Sequence, residues 1–473
     1  MKQIHEKYEV VIGLEVHVEL ATKTKIFCSC PTTFGAEPNT QCCPVCMGLP
    51  GALPVLNGKA VELTVRAGIA TSCNIAERSY HDRKNYFYPD LPKGYQISQY
   101  RRPLCTGGHV DIGSKKIGIT QIHLEEDAGK LIHTDSGSTL IDLNRAGIPL
   151  IEIVSEPDMR SAEEAVEYLK KLRLMLVYAG VSECKMNEGQ LRCDVNLSVR
   201  RYGEETLGTR TEMKNINSFA FVAKAIEYEA ERQIGILEEG GSVIRETRKF
   251  DSDKGITLPL RKKETASDYR FFRDTDLPTI EMLPDKVEEI KSQMPRLPDE
   301  RLRQYIGEYA LSPSDAAVII SDVSIADYFE KAAKSSQSPK ICANLILSEL
   351  LSQSTSEMLD SCFPVDAIVA VADMFYSEKI NSSTVKRLIK RIKTERIDPI
   401  KVVNDEGLMQ INDVSVLSAA VNEALSESEG SVSDYKNGKT NALKAIMGKA
   451  MAKCNGKGNP RLVEQLILNA IST

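Results

Sequence analysis

Residues 10–20 read VVIGLEVHVEL, and their alternation decides the class of fold. In an extended strand successive side chains point to opposite faces. Val10, Ile12, Leu14, Val16, Val18 and Leu20 therefore share one face, and Val11, Gly13, Glu15, His17 and Glu19 share the other. An apolar face packs inward while Glu15 and His17 project together from the opposite side.

The same reading extends outward. In IGITQIHLEED, residues 117–127, Gln121, His123 and Glu125 oppose Ile122 and Leu124, with Glu126 at the strand end. In RCDVNLSVR, residues 192–200, Arg192, Asp194, Asn196 and Ser198 oppose Cys193, Val195, Leu197 and Val199. In RTEMK, residues 210–214, Arg210, Glu212 and Lys214 share a face. Four strands, each with a carboxylate on its polar face, pave one open sheet surface. Oxygen ligands with an occasional imidazole suit Mg2+ or Mn2+, with nucleotide phosphates completing the coordination. The competing reading is a set of water-facing residues on half-exposed antiparallel strands, which are normally polar.

Helical patterns at residues 161–178 and 219–237 lie among these strands, so residues 8–290 form an α+β body with a mixed or antiparallel sheet. Beyond Pro295 and Pro298 the character changes. Up to about residue 400 the only glycine is Gly307, and Ala343, Leu345, Leu347 and Leu350 recur at helical spacing. NDEGLMQIN, residues 404–412, interrupts that pattern before a last helical segment. The expected division is 1–293, 294–404 and 405–473, because a chain of 473 residues exceeds the roughly 250 to 300 that one core supports.

Twelve cysteines, five of them between positions 28 and 46, bear on compartment and metal. The charged opening MKQIHEKYEV and the lack of an apolar run near the roughly 18 residues of a spanning helix point to a cytoplasmic protein with no membrane association. There thiols stay reduced. Cys28 and Cys30, then Cys43 and Cys46 as CPVC, offer two thiolate pairs on separate turns, the pattern of a closed, structural zinc site. Free buried thiols or a redox pair is the alternative. Cys42 is left over, since pairing Cys43 with Cys46 keeps the two-residue spacing of a zinc turn. Such a site has no open coordination position for catalysis, and about 10 to 16 kcal/mol of binding energy would hold the Pro- and Gly-rich stretch around it.

Charge is uneven. Residues 431–473 carry +5 within a chain of net charge −6, leaving −11 on the rest. A basic tail on an acidic body suits a polyanion, and a solvated helix face explains it equally.

KNYFYPDLPKGYQISQY, residues 84–100, and IDLNRAGIPLIEIVSEPD, residues 141–158, are unusual for scaffold. Together with VIGLEVHVEL, FGAEPNT, CPVCMGLPGALPVLN, HLEEDAGK, LRCDVN and TEMKNINSF they closely resemble the B subunit of the bacterial and organellar aspartyl/glutamyl-tRNA amidotransferase. The resemblance extends through the helical region into the tail. It implies a catalytic cradle like those of glutamine synthetase and guanido kinases, then a helical domain, then a small tail domain that contacts the tRNA elbow. It implies a ligase reaction in which ATP, with Mg2+, phosphorylates the side-chain carboxylate of Glu-tRNA(Gln) or Asp-tRNA(Asn). Ammonia, channelled from glutamine hydrolysis in an amidase A subunit, then displaces the phosphate. A small C subunit completes the heterotrimer.

By this resemblance Glu15, His17, Glu125 and Glu212 match the family's metal-binding, catalytic positions, with Glu126 and Asp194 as neighbours. Arg192, Arg210 and Lys214 are expected to meet phosphate beside Asp194. Tyr86, Tyr88, Lys93 and Tyr95 line a substrate pocket or tunnel mouth, or else pack. Lys444, Lys449, Lys453 and Lys457 are the cations expected on the tRNA backbone. No glutaminase nucleophile arrangement is evident, consistent with that activity lying on another chain. In DYRFFRDTDLP, Arg273, Asp274 and Thr275 stand where relatives carry a Pro-Glu-Pro type sequence. Some relatives also lack the zinc cysteines. The rival to a catalytic role is a non-catalytic, zinc-containing tRNA-binding scaffold.

Overall fold

A computed structural model describes residues 7–262 and 268–472. They fall into two compact units, Met1–Pro298 and Asp299–Thr473.

The first unit is built on the strand that the alternation singled out, β1 (Tyr8–Glu19). The other strands that matter to the site are β2 (Asp82–Asn85), β3 (Tyr95–Ser98), β4 (Lys116–Glu126), β5 (Pro149–Ser155), β6 (Leu191–Arg201), β7 (Thr211–Lys214), β8 (Glu246–Asp251) and β9 (Ile256–Lys262). Among the described residues the large sheet has ten strands, running β9-β8-β7-β6-β1-β5-β4 and on into short edge strands. All these pairings are antiparallel except β7 with β8, so the sheet is mixed.

Its apolar face is the core. Ile12, Val16 and Val18 are completely buried, as are Ile151, Ile153, Val195 and Leu197 on the flanking strands. Three helices, α1 (Gly58–Ala70), α2 (Ala162–Tyr178) and α3 (Phe219–Glu238), contribute to the same apolar cluster. Helix α2 buries Ala165, Tyr168, Leu169, Leu172 and Leu176, a stripe at the three-and-four spacing of a helix face. Each helix begins on a side-chain cap: Asn57 accepts from the Lys59 amide, Ser161 from Glu164 and Ser218 from Phe221. With the helices on one face, the other face of the sheet stays open for polar side chains.

The second unit is helical throughout its regular structure. Four of its helices, Pro313–Ile320, Pro339–Leu345, Pro399–Asp405 and Pro460–Ser472, start on a proline, whose missing amide costs nothing in the first turn. Asp413 caps Val414–Ser426 by accepting from the Ser415 amide. This last part has its own apolar cluster, including Leu417, Val421, Ile446, Ala450, Val463 and Ile467. Polar contacts tie it to the preceding helices, among them Asn381 Nδ2 donating to Gly456 O at 2.8 Å and the Gln410 amide to Lys379 O at 2.7 Å.

Candidate active site

Register decides which polar residues meet. Glu15 lies across from Asp194, and His17 lies between Arg192 on β6 and Glu152 on β5; Glu152 in turn faces His123 on β4. Asn196 faces Glu212 on β7. One continuous polar field therefore crosses β4, β5, β1, β6 and β7.

Within that field the donors form two groups, each with ligand atoms within 4.8 Å of one another: His17, Glu125 and Glu152, and Glu15, Asp194 and Glu212. Both groups take a residue from β1, two positions apart. In the first group His123 bridges two acids, with Nε2 at 3.5 Å from Glu152 and Nδ1 at 3.5 Å from Glu125. His17 Nε2 stands 3.9 Å from Glu152. Ser98 Oγ donates to Glu125 at 2.5 Å and Gln96 Nε2 at 3.3 Å, so β3 aims this carboxylate.

The two acids of the first group titrate in opposite directions. Burial and the neighbouring Glu152 push Glu125 above the usual carboxylate range. Burial would raise Glu152 too, but His123, His17 and Lys84 outweigh it and hold this carboxyl down to about 2. With Glu125 only 2% exposed, this pair is not the water-facing fringe of a half-exposed strand.

In the second group Lys214 Nζ bonds Asp194 and approaches Glu212 at 3.2 Å. Burial would lower this lysine's pKa; Asp194 and Glu212 raise it, so the ammonium is retained. Asn196 Nδ2 donates to Glu15 at 2.9 Å, and Thr247 Oγ1 to Glu212 at 2.9 Å.

The remaining expectations sort themselves around this field. Glu126 belongs to neither group: its carboxylate accepts from Lys93 Nζ and from the Ile97 amide, the latter at 2.9 Å. The reason is local, since Glu126 ends β4 and turns toward β3. Lys93 lies 5.3 Å from the centres of both the Phe27 and Tyr95 rings. Arg192 is engaged by Asp127 at 2.6 Å, which together with Glu19 and Asp194 keeps it charged against its burial. Glu19, beside Asp127, is pushed up to about 7 by burial and by that neighbour. Arg210 is exposed at the rim of a 260 Å³ groove shared with Glu15, Thr120 and Asn196. Tyr86 is largely enclosed, its hydroxyl 3.3 Å from Gln96 and its ring edge-on to Tyr88 and Tyr269, whereas Tyr88 is half exposed.

Glu152 is the residue that motif reading passed over. The same alternation applied to PLIEIVS sets it opposite Ile151 and Ile153, which is the signal that would have found it. His123, Gln96, Ser98 and Asp127 are further contributors whose roles depend on register and on the neighbouring strand β3.

The four cysteines converge as their spacing anticipated. The Cys28, Cys30, Cys43 and Cys46 sulfurs lie within 4.8 Å of one another, and Cys43 and Cys46 are 3.9 Å apart. A tetrahedron of sulfurs about 2.3 Å from a zinc ion has edges of about 3.8 Å, so these residues are fit to hold a metal. Cys46 is the thiol drawn down, to about 4, chiefly by Cys28, with the Cys43 amide and Lys25 assisting. Cys42 turns toward Asn144, 3.8 Å away.

In the second unit the tail cations are largely spoken for. Lys453 pairs with Glu423 and Glu427 at 2.5 and 2.7 Å, Lys449 donates to Glu427 O and Lys457 to Gly407 O. Lys444 is exposed. Among the described residues no helix is long and apolar enough to cross a membrane.

Comparison with known proteins matches residues 10–288 to the GatB/GatE catalytic domain and residues 327–471 to the GatB domain. The B subunit of the aspartyl/glutamyl-tRNA(Asn/Gln) amidotransferase of Caldicellulosiruptor saccharolyticus is 51% identical, over 98% of both chains. The proteins of that name from Caldanaerobacter subterraneus subsp. tengcongensis and Carboxydothermus hydrogenoformans are 49% and 46% identical, each over 98% of this chain and at least 99% of their own.

Proposed function

The chain belongs to the GatB family, and from that premise we propose that it is the B subunit of a tRNA-dependent amidotransferase. Its reaction is ATP-dependent phosphorylation of the side-chain carboxylate of Glu-tRNA(Gln), Asp-tRNA(Asn) or both. Ammonia then attacks the acyl phosphate, phosphate leaves, and the amide stays on the tRNA. The ammonia is supplied by an amidase A subunit, with a small C subunit completing a cytoplasmic heterotrimer. An open sheet with one acidic face supports the likeness to the glutamine synthetase and guanido kinase cradle.

The observation that carries this reading is the pair of three-donor groups on one polar sheet face, His17/Glu125/Glu152 and Glu15/Asp194/Glu212. These residues would hold Mg2+, which would offset the charge that develops in phosphoryl transfer, a reaction that asks little else of the protein. Gln96 and Ser98 fix the Glu125 carboxylate so that it need not reorganise. Lys214 and Arg192 stay cationic among the acids and face the transferring phosphoryl group. Arg210 reaches phosphate from the rim, and Tyr86, Tyr88 and Lys93 border the aminoacyl end. The four cysteines hold a structural zinc, since a closed four-sulfur site leaves no position for substrate. Residues 405–473 contact tRNA.

The test is phosphoryl transfer from ATP to Glu-tRNA by the assembled complex carrying both Glu125→Ala and Glu212→Ala. Transfer is expected to disappear while glutamine hydrolysis continues. Unchanged transfer would leave the chain a non-catalytic tRNA-binding scaffold.

A further inference from the structure

Lys25 is completely buried, yet among the described residues no carboxylate pairs with it. Among the described residues its ammonium makes one hydrogen bond, from Nζ to the Leu143 carbonyl at 3.2 Å. Removing an ammonium from water is costly unless an opposite charge accompanies it. A lone carbonyl supplies a dipole and no charge.

The surroundings identify the missing partner. Lys25 lines a 130 Å³ cavity together with Cys28 and Cys46. The cavity's three carboxylates are each taken: Glu126 by Lys93, and Asp274 and Asp276 by Arg83 at 2.5 and 2.8 Å. Among the described residues lining it that can carry a negative charge, only the Cys28 and Cys46 sulfurs lack a cation.

The backbone fixes Lys25 against the cysteine turns. Its amide donates to Cys30 O at 2.9 Å, and the next amide, Ile26, donates to Gly147 O at 2.9 Å. Gly147 has φ +83°, and a first side-chain carbon there would lie 3.7 Å from both Lys25 Cδ and Cys46 Cβ. The lysine's aliphatic stem and the Cys46 side chain thus flank the same bare glycine.

Four thiolates around a divalent zinc leave two net negative charges in a partly enclosed site. We propose that Lys25 is the counter-charge of the zinc tetrathiolate, a buried ammonium that holds the metal by neutralising half of that excess. The inference rests on the assignment of zinc to the four cysteines. Groups outside the ligand shell that act on a metal in this way typically change its affinity about 10- to 100-fold.

The test compares the full-length parent with Lys25→Met and Lys25→Arg. Zinc content is measured on each, then affinity by competition with a chelator, and the geometry by the absorption spectrum of the cobalt-substituted protein. Lys25→Met should retain the tetrahedral thiolate spectrum and bind the metal at least tenfold more weakly. Lys25→Arg, which keeps the charge, should stay within about threefold of the parent. Equal loss in both variants would assign the effect to packing and overturn the proposal, as would parental affinity in Lys25→Met. A parent that purifies without zinc and does not take up cobalt would sink the zinc assignment itself, a separate failure.

Discussion

Replacing Glu152 with glutamine keeps the shape of the side chain and removes one charge from the centre of the first donor group. The structure sets the scale. Between His123 at 3.5 Å and His17 at 3.9 Å, the carboxyl falls from an ordinary 4.5 to about 2. A divalent cation bound there would take over that role from the imidazoles, and losing one of its charged ligands should weaken Mg2+ by at least the roughly 10- to 100-fold typical of losing a partner outside the ligand shell. The assay is transfer of labelled γ-phosphate from ATP to Glu-tRNA by the assembled complex across a Mg2+ titration, with glutamine hydrolysis as the folding control. Half-saturation within about twofold of the parent would refute the placement of Glu152 in a metal site.

Three other outcomes follow from particular contacts. Glu125, raised by burial and by Glu152, favours folding at low pH and loses that contribution as pH rises through its folded value, so at neutral pH the charged residue is a burden. Glu125→Gln should therefore raise the urea midpoint of the metal-free chain at pH 7 while abolishing phosphoryl transfer; a lower midpoint would contradict this. Cys43→Ser should lose bound zinc and Cys42→Ser should keep it, by elemental analysis, because Cys42 points to Asn144. In the tail, Lys444→Ala should weaken tRNA binding and flatten its salt dependence more than Lys453→Ala, whose ammonium is already paired, and filter binding across a salt series reads both.

Period-two alternation put Glu15, His17, His123, Glu125, Asp194, Asn196, Glu212 and Lys214 on the polar faces of their strands, because a buried sheet face tolerates no slip of one residue. It could not say which strands are neighbours. β1 is flanked by strands that begin about 140 and 180 residues later, and only that pairing brings Glu152 to His17 and Asp194 to Glu15. The cysteines were legible for the opposite reason: four ligands inside 19 residues need only local turns to converge. Charge counting served least well in the tail, where Glu423 and Glu427, outside the window that summed to +5, neutralise Lys453. The pairing of Lys93 with Glu126 was likewise hidden, since it crosses from a loop to the end of β4.

Isotope transfer reads directly the phosphorylated carboxylate proposed to form over the acidic sheet face. Glu-tRNA carrying oxygen-18 in its side-chain carboxylate is given to the assembled complex with ATP, Mg2+ and glutamine, and the released phosphate is analysed by mass. One labelled oxygen per amide formed is the result expected, lost together with amide formation in the Glu125→Ala, Glu212→Ala double variant. Amide formation with unlabelled phosphate, or with label still transferred at the parental rate in the double variant, would contradict it.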